Sequence, residues 1–111
     1  MRKMLDDLGK MIVEVNRLID DANNLDYYKM VDTYQYNKIK EALIDLPSIM
    51  YTIDLYYSSL KTDYDIGLSF NSVEAEQFTR IQSKYNYVKK RYNEGKNEWS
   101  IFKNLHQIKN K

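Results

Sequence analysis

Residues 36–60 read YNKIKEALIDLPSIMYTIDLYYSSL. Within them Tyr36, Ile39, Leu43, Leu46, Met50, Ile53, Tyr57 and Leu60 recur at alternating steps of 3 and 4. That is the period of one helix face; a strand would repeat every second residue. Pro47 stands inside the run. Proline lacks the backbone donor and crowds the preceding turn, at a cost of about 3 kcal/mol in a regular helix interior. The apolar phase nevertheless crosses it without a slip. The stretch therefore predicts one long helix over 33–62, kinked or broken at Pro47 but not reversed there. Asp32 with Gln35 offers a capping box at its start.

Upstream, Met4, Leu8, Met11, Val15, Leu18, Ala22 and Leu25 are spaced 4-3-4-3-4-3, and Leu5, Ile12 and Ile19 form a second row seven apart. Three apolar positions per heptad make a face wide enough for a bundle core. The pattern predicts a helix over 2–24, ended by Asn23 and Asn24. Downstream, Phe78, Ile81, Tyr85, Val88 and Tyr92 predict a third helix over 72–94. Asn71 and Glu74 would cap its start, and Gly95 would take the left-handed position after its end. A fourth segment, 97–110, places Trp99, Phe102, Leu105 and Ile108 near one face.

The expected fold is all-α: a single domain, built as an up-down bundle of three to four helices. Thirty residues of helix rise roughly 45 Å against about 33 Å for the first helix. The second helix must bend or protrude, and a homodimer that covers its excess is a natural solution.

Composition narrows the chemistry. The chain has 111 residues, no Cys, one His, three Gly and one Pro. Disulfides, thiol chemistry and multi-histidine or cysteine metal centres are excluded. His106 is the sole histidine and lies near the C-terminus, an unpromising general base. No phosphate-binding glycine loop or nucleophile-elbow serine occurs. The acidic pairs Asp6-Asp7 and Asp20-Asp21 are adjacent in sequence, so their side chains diverge on a helix. Asp20 and Asp21 would sit unfavourably at a helix C-terminus unless a basic neighbour such as the third helix faces them. The expectation is a protein with no catalytic residues, no resident metal and no cofactor. Residues 63–74, DYDIGLSFNSVE, place Asp63, Asp65, Gly67, Ser69, Asn71 and Glu74 at the ligand positions of an EF-hand calcium loop. The sixth position, which should be glycine, is Leu68. A degenerate calcium loop is thus a minor alternative to a plain helix connection.

No run of 18 apolar residues exists, and the basic tip of MRKMLDDLGKMIVEV meets Asp6 and Asp7 at once. A cytoplasmic protein without a membrane segment is expected.

The net charge of +1 conceals a division. Residues 1–78 carry 8 Lys and Arg against 14 Asp and Glu, a balance of −6; residues 79–111 carry 9 against 2, a balance of +7. The plainest reading is a basic helix packed beside acidic ones; the other is a contact with nucleic acid or an acidic protein. In SKYNYVKKRYNEGK the aromatics and cations interleave. Arg80, Lys84, Lys89, Lys90 and Arg91 could meet phosphates or carboxylates, with Tyr87 as a stacking ring. Tyr supplies 11 of the 15 aromatics and is a favoured interface residue. Tyr56, Tyr64 and Trp99 complete the candidate contacts. The expected function is therefore a small non-enzymatic helical protein that acts by protein–protein contact, of the kind found among phage or mobile-element inhibitors, immunity proteins and assembly factors. The alternative is a nucleic-acid-associated protein using the basic segment 80–111.

Overall fold

The computed structural model describes residues 2–23, 33–67 and 70–106. Within them the chain forms three helices and no strand: α1 (Arg2–Asn23), α2 (Thr33–Asp65) and α3 (Ser72–Leu105). The bundle measures 51 × 21 × 18 Å. Side-chain pairs fix the directions. Tyr36 meets Phe102, Tyr57 meets Tyr85 and Tyr64 meets Phe78, so α2 and α3 run antiparallel. Asp6 pairs with Gln77, Asp20 with Arg91 and Asn23 with Trp99, so α1 runs parallel to α3. The topology is up-down-up. α1, at 22 residues, lies along a hairpin of helices of 33 and 34 residues.

The apolar stripes meet as their spacing requires. Leu8, Leu43 and Ile81, one from each helix, are buried together with Val15, Ile53 and Phe78. Each such side chain contributes roughly 1.5–3 kcal/mol by leaving water. α2 runs unbroken through Pro47. Leu43, Leu46 and Met50 on either side of it are buried, which offsets the missing backbone bond. The capping residues proposed for α2, Asp32 and the Gln35 side chain, lie outside the described residues, as do Leu25 and Ile108.

At the start of α3 the capping box forms: the Asn71 side chain accepts from the Glu74 N–H at 2.8 Å, and the Glu74 carboxylate accepts from the Asn71 N–H at 3.2 Å. The chain departs from the sequence reading further along. α3 passes through residues 95–97 without a break, so the expected third and fourth helices are one. Gly95 is not a helix terminator. The Trp99 ring lies against its Cα, and a Cβ there would fall 2.3 Å from a ring carbon. The left-handed glycine is instead Gly67 (φ 71°), which ends α2 while its N–H donates to the Tyr64 carbonyl at 3.1 Å. Leu105, expected on the core face, is 69% exposed.

Candidate functional site

The basic run of α3 is divided by the helix itself. Lys89 and Arg91 turn inward. The Lys89 ammonium donates to Asp54 Oδ2 of α2 at 2.7 Å, and the Tyr85 hydroxyl donates to Asp54 Oδ1 at 2.7 Å. Arg91 reaches α1, where it donates to Asp20 Oδ1 at 2.8 Å and to the Asn16 side chain. A basic α3 thus packs on acidic α1 and α2. Arg91 is also the neighbour that makes Asp20 tolerable at the C-terminal end of α1. Asp21 is met by Lys38 at 3.6 Å and Arg17 at 3.1 Å.

Arg80, Lys84, Tyr87 and Lys90 turn outward. Steps of 4, 3 and 3 keep them on one side of α3, within about 15 Å. Tyr87 is 58% exposed at the centre of this line. Its ring lies 5.8 Å from the Arg91 guanidinium carbon, an orientation in which the cation supports the ring face. Arg80 and Lys90 each have a glutamate one turn away, Glu76 and Glu94, the latter at 4.0 Å. Such exposed pairs are worth about 0.2–1 kcal/mol and exchange readily for a partner's carboxylate.

The remaining sequence candidates lie elsewhere. Trp99 is a core residue, 4% exposed, whose indole N–H donates to Asn23 Oδ1 at 3.1 Å. In sequence it stands both among the candidate contacts and on the apolar face of the fourth segment; its area is spent closing the bundle beside Gly95. Tyr56 is half-buried against the core. Tyr64 stacks on Phe78, with centroids 4.9 Å apart, and is edge-on to Phe70 at 5.7 Å. The structure therefore brings four of the nine candidates into one exposed line, and five serve partly or wholly in packing.

Two of the seam tyrosines, Tyr57 and Tyr85, have partners for their hydroxyls: Tyr57 accepts from the Gln82 amide at 3.0 Å while its ring stacks on Tyr85 at 3.8 Å. Burial, joined by the hydrogen bond to Asp54, pushes the Tyr85 hydroxyl well above the ordinary tyrosine value. Burial raises Tyr92 too. The folded state keeps these protons while the unfolded chain, titrating near pH 10, releases its own. Their stabilising contribution is complete below about pH 10 and falls as pH rises beyond it. Urea titrations at pH 9 and 11 check this: wild type should lose stability over that interval, and Tyr85→Phe, weaker overall, should lose less of it.

The calcium-like stretch is not one loop. Asp63 and Asp65 belong to the last turn of α2, Asp65 pairs with Lys61 at 2.7 Å, and Glu74 spends its carboxylate on the α3 cap. The helix continues three residues beyond its expected end and draws the first two ligand positions into it. Among the described residues no cluster of three or more His, Asp or Glu side chains is placed to hold a metal ion. No described helix is long and apolar enough to cross a membrane. His106 is exposed and sits edge-tilted on Phe102 and Tyr36 at 4.2 and 5.4 Å.

Comparison with protein-family models, with curated proteins and with solved structures finds no match for this chain.

Proposed function

We propose that this protein acts without catalysis, by binding an acidic surface of another protein through the outward line of α3. The observation that carries the reading is the exposed Tyr87, backed by Arg91 and flanked by Arg80, Lys84 and Lys90. An exposed ring that is already held in place loses little entropy on binding, and tyrosine and arginine dominate interface energetics. Surrounding cations attract carboxylates over distances near 8–10 Å at ordinary ionic strength. A small protein with such a patch and no chemistry of its own suits a role in blocking or bridging a larger machine. Inhibitors, immunity proteins and assembly factors of phages or mobile elements work in this way.

A second reading is favoured by one feature: residues 77–93 hold five cations and no acid. The same line would then follow a nucleic-acid backbone, with Tyr87 stacked on a base. Against it, Lys89 and Arg91 are already bound to Asp54 and Asp20, which leaves three of these five cations turned outward for phosphates.

The test immobilises the full chain, exposes it to extract and compares Tyr87→Ala and Lys84→Glu with wild type. Both variants should lose the captured protein while their melting temperatures stay within about 2 °C, since neither side chain is in the core. Capture undiminished in both variants would contradict the reading. Capture of DNA or RNA that falls steeply with salt would replace it with the second.

A further inference from the structure

The outer side of α2 differs from those of its neighbours. The outward lines of α1 and α3 are mainly charged, through Lys3, Lys10 and Arg17 around an exposed Val13 on the one and Arg80, Lys84 and Lys90 around Tyr87 on the other. On α2 the line of exposed Ser48, Tyr51, Leu55, Ser58 and Thr62, which begins at the half-buried Ile44, holds no charge. Between residues 46 and 60 the only charged side chain is Asp54, and it faces α3. Tyr51 and Leu55 are 65% and 53% exposed at the middle of the line. Thr62 satisfies its hydroxyl on the Ser58 carbonyl at 3.0 Å, and neighbouring Thr52 does so on Ser48 at 3.1 Å, so both can turn methyl groups outward. A helix with apolar side chains on both its inner and outer faces is normally covered on both.

We propose that a second copy of this chain covers it, with α2 packed antiparallel on α2 of the partner about a two-fold axis between Tyr51 and Leu55. Charge argues for the second copy. A two-fold interface sets each line against itself, so the cationic line of α3 would repel its own image, whereas the α2 line carries nothing to repel. The spacing, 4-3-4-3-4, also reads the same in both directions. Tyr51 then comes level with the second copy's Leu55, Ser48 with its Ser58, and Ile44 with its Thr62. At each end Lys40 comes within one residue of level with Asp65, on the same flank of the helix and beside the Lys61 that already holds Asp65, while Glu41, level with Asp65, lies on the opposite flank; symmetry repeats the match. The line is about 27 Å long. Two such helix faces bury less than the roughly 1,200 Å² of a stable complex, so the dimer is weak and depends on concentration. It presents two α3 lines, one per copy, but it does not depend on the α3 reading.

Sedimentation equilibrium of the full chain from about 10 µM to about 1 mM should show reversible monomer–dimer exchange, the range expected for so small an interface. Leu55→Lys should raise the dissociation constant at least about tenfold with no fall in melting temperature. Lys40→Glu should weaken the dimer at low salt, and adding Asp65→Lys should restore it. A monomer throughout the range overturns the proposal. So does a dimer that Leu55→Lys leaves intact, or a monomer in which Leu55→Lys abolishes capture of a different protein. In the last case the face belongs to that protein, and the α3 reading is untouched.

Discussion

Phe78→Ala lowers the unfolding free energy by about 3–5 kcal/mol, and with it a large share of the roughly 5–15 kcal/mol that holds a small domain together. Phe78 is 0% exposed. It lies where the α2–α3 hairpin closes, stacked on Tyr57 at 5.9 Å and Tyr64 at 4.9 Å and edge-on to Phe70 at 5.8 Å. Its removal leaves a void between two rings of α2 and the Phe70 ring, which lies next to the Asn71–Glu74 cap of α3. Such a void cannot collapse without moving a helix, so the cost falls toward the upper end of the range. Urea unfolding followed by circular dichroism measures it. Phe78→Leu, which refills most of the volume, should recover more than half of the loss.

Gly95→Ala and Gly9→Ala should move stability in opposite directions. Both glycines lie inside helices, and alanine is intrinsically better there by about 1 kcal/mol. At Gly9 the new methyl group meets only Ile81 Cδ1 at 3.9 Å, ordinary contact. Gly9→Ala should gain about 0.5–1 kcal/mol. At Gly95 the methyl group would fall 2.3 Å from one Trp99 ring carbon and 2.7 Å from two others. The ring cannot swing away freely, since its N–H is held by Asn23 and its other side packs in the core. Overpacking of this kind costs about 1–3 kcal/mol, enough to exceed the helical gain. A pair of melting curves decides the matter. A stabilised Gly95→Ala would mean that Trp99 does not seal the end of α1.

The three stripes were legible because heptad spacing survives any context. Leu8, Leu43 and Ile81 were assigned inward from period alone, and all three are buried. The Asn71–Glu74 cap was legible because it is local, its two partners three residues apart. Gly95 was misread although Trp99 lies only four residues on, because the indole is held by Asn23, 76 residues away. A glycine after an apolar run usually ends a helix, and nothing near it in sequence reveals that a ring from one turn later needs its space. Gly67, the true terminator, was hidden in a stretch whose carboxylates suggested calcium. The cationic run shows the same limit. Periodicity placed Tyr85, Val88 and Tyr92 inward, but which of the lysines and arginines between them would be spent on α1 and α2 depends on Asp20 and Asp54, 71 and 35 residues away from their partners. Leu55 drew no notice because a lone exposed leucine is ordinary. Its significance comes from the absence of charge along the whole outer line of α2.

The division of the α3 cations into inward and outward sets is the claim on which the account of this protein turns, and thermal melts of Arg91→Ala and Lys84→Ala test it most directly. The two residues carry the same charge on the same helix, two turns apart. Arg91→Ala should lose the bonds to Asp20 and Asn16, about 1–2 kcal/mol, and melt about 4–8 °C lower than wild type. Lys84→Ala should melt as wild type does. Equal shifts in the two variants, or a larger one for Lys84, would contradict the account.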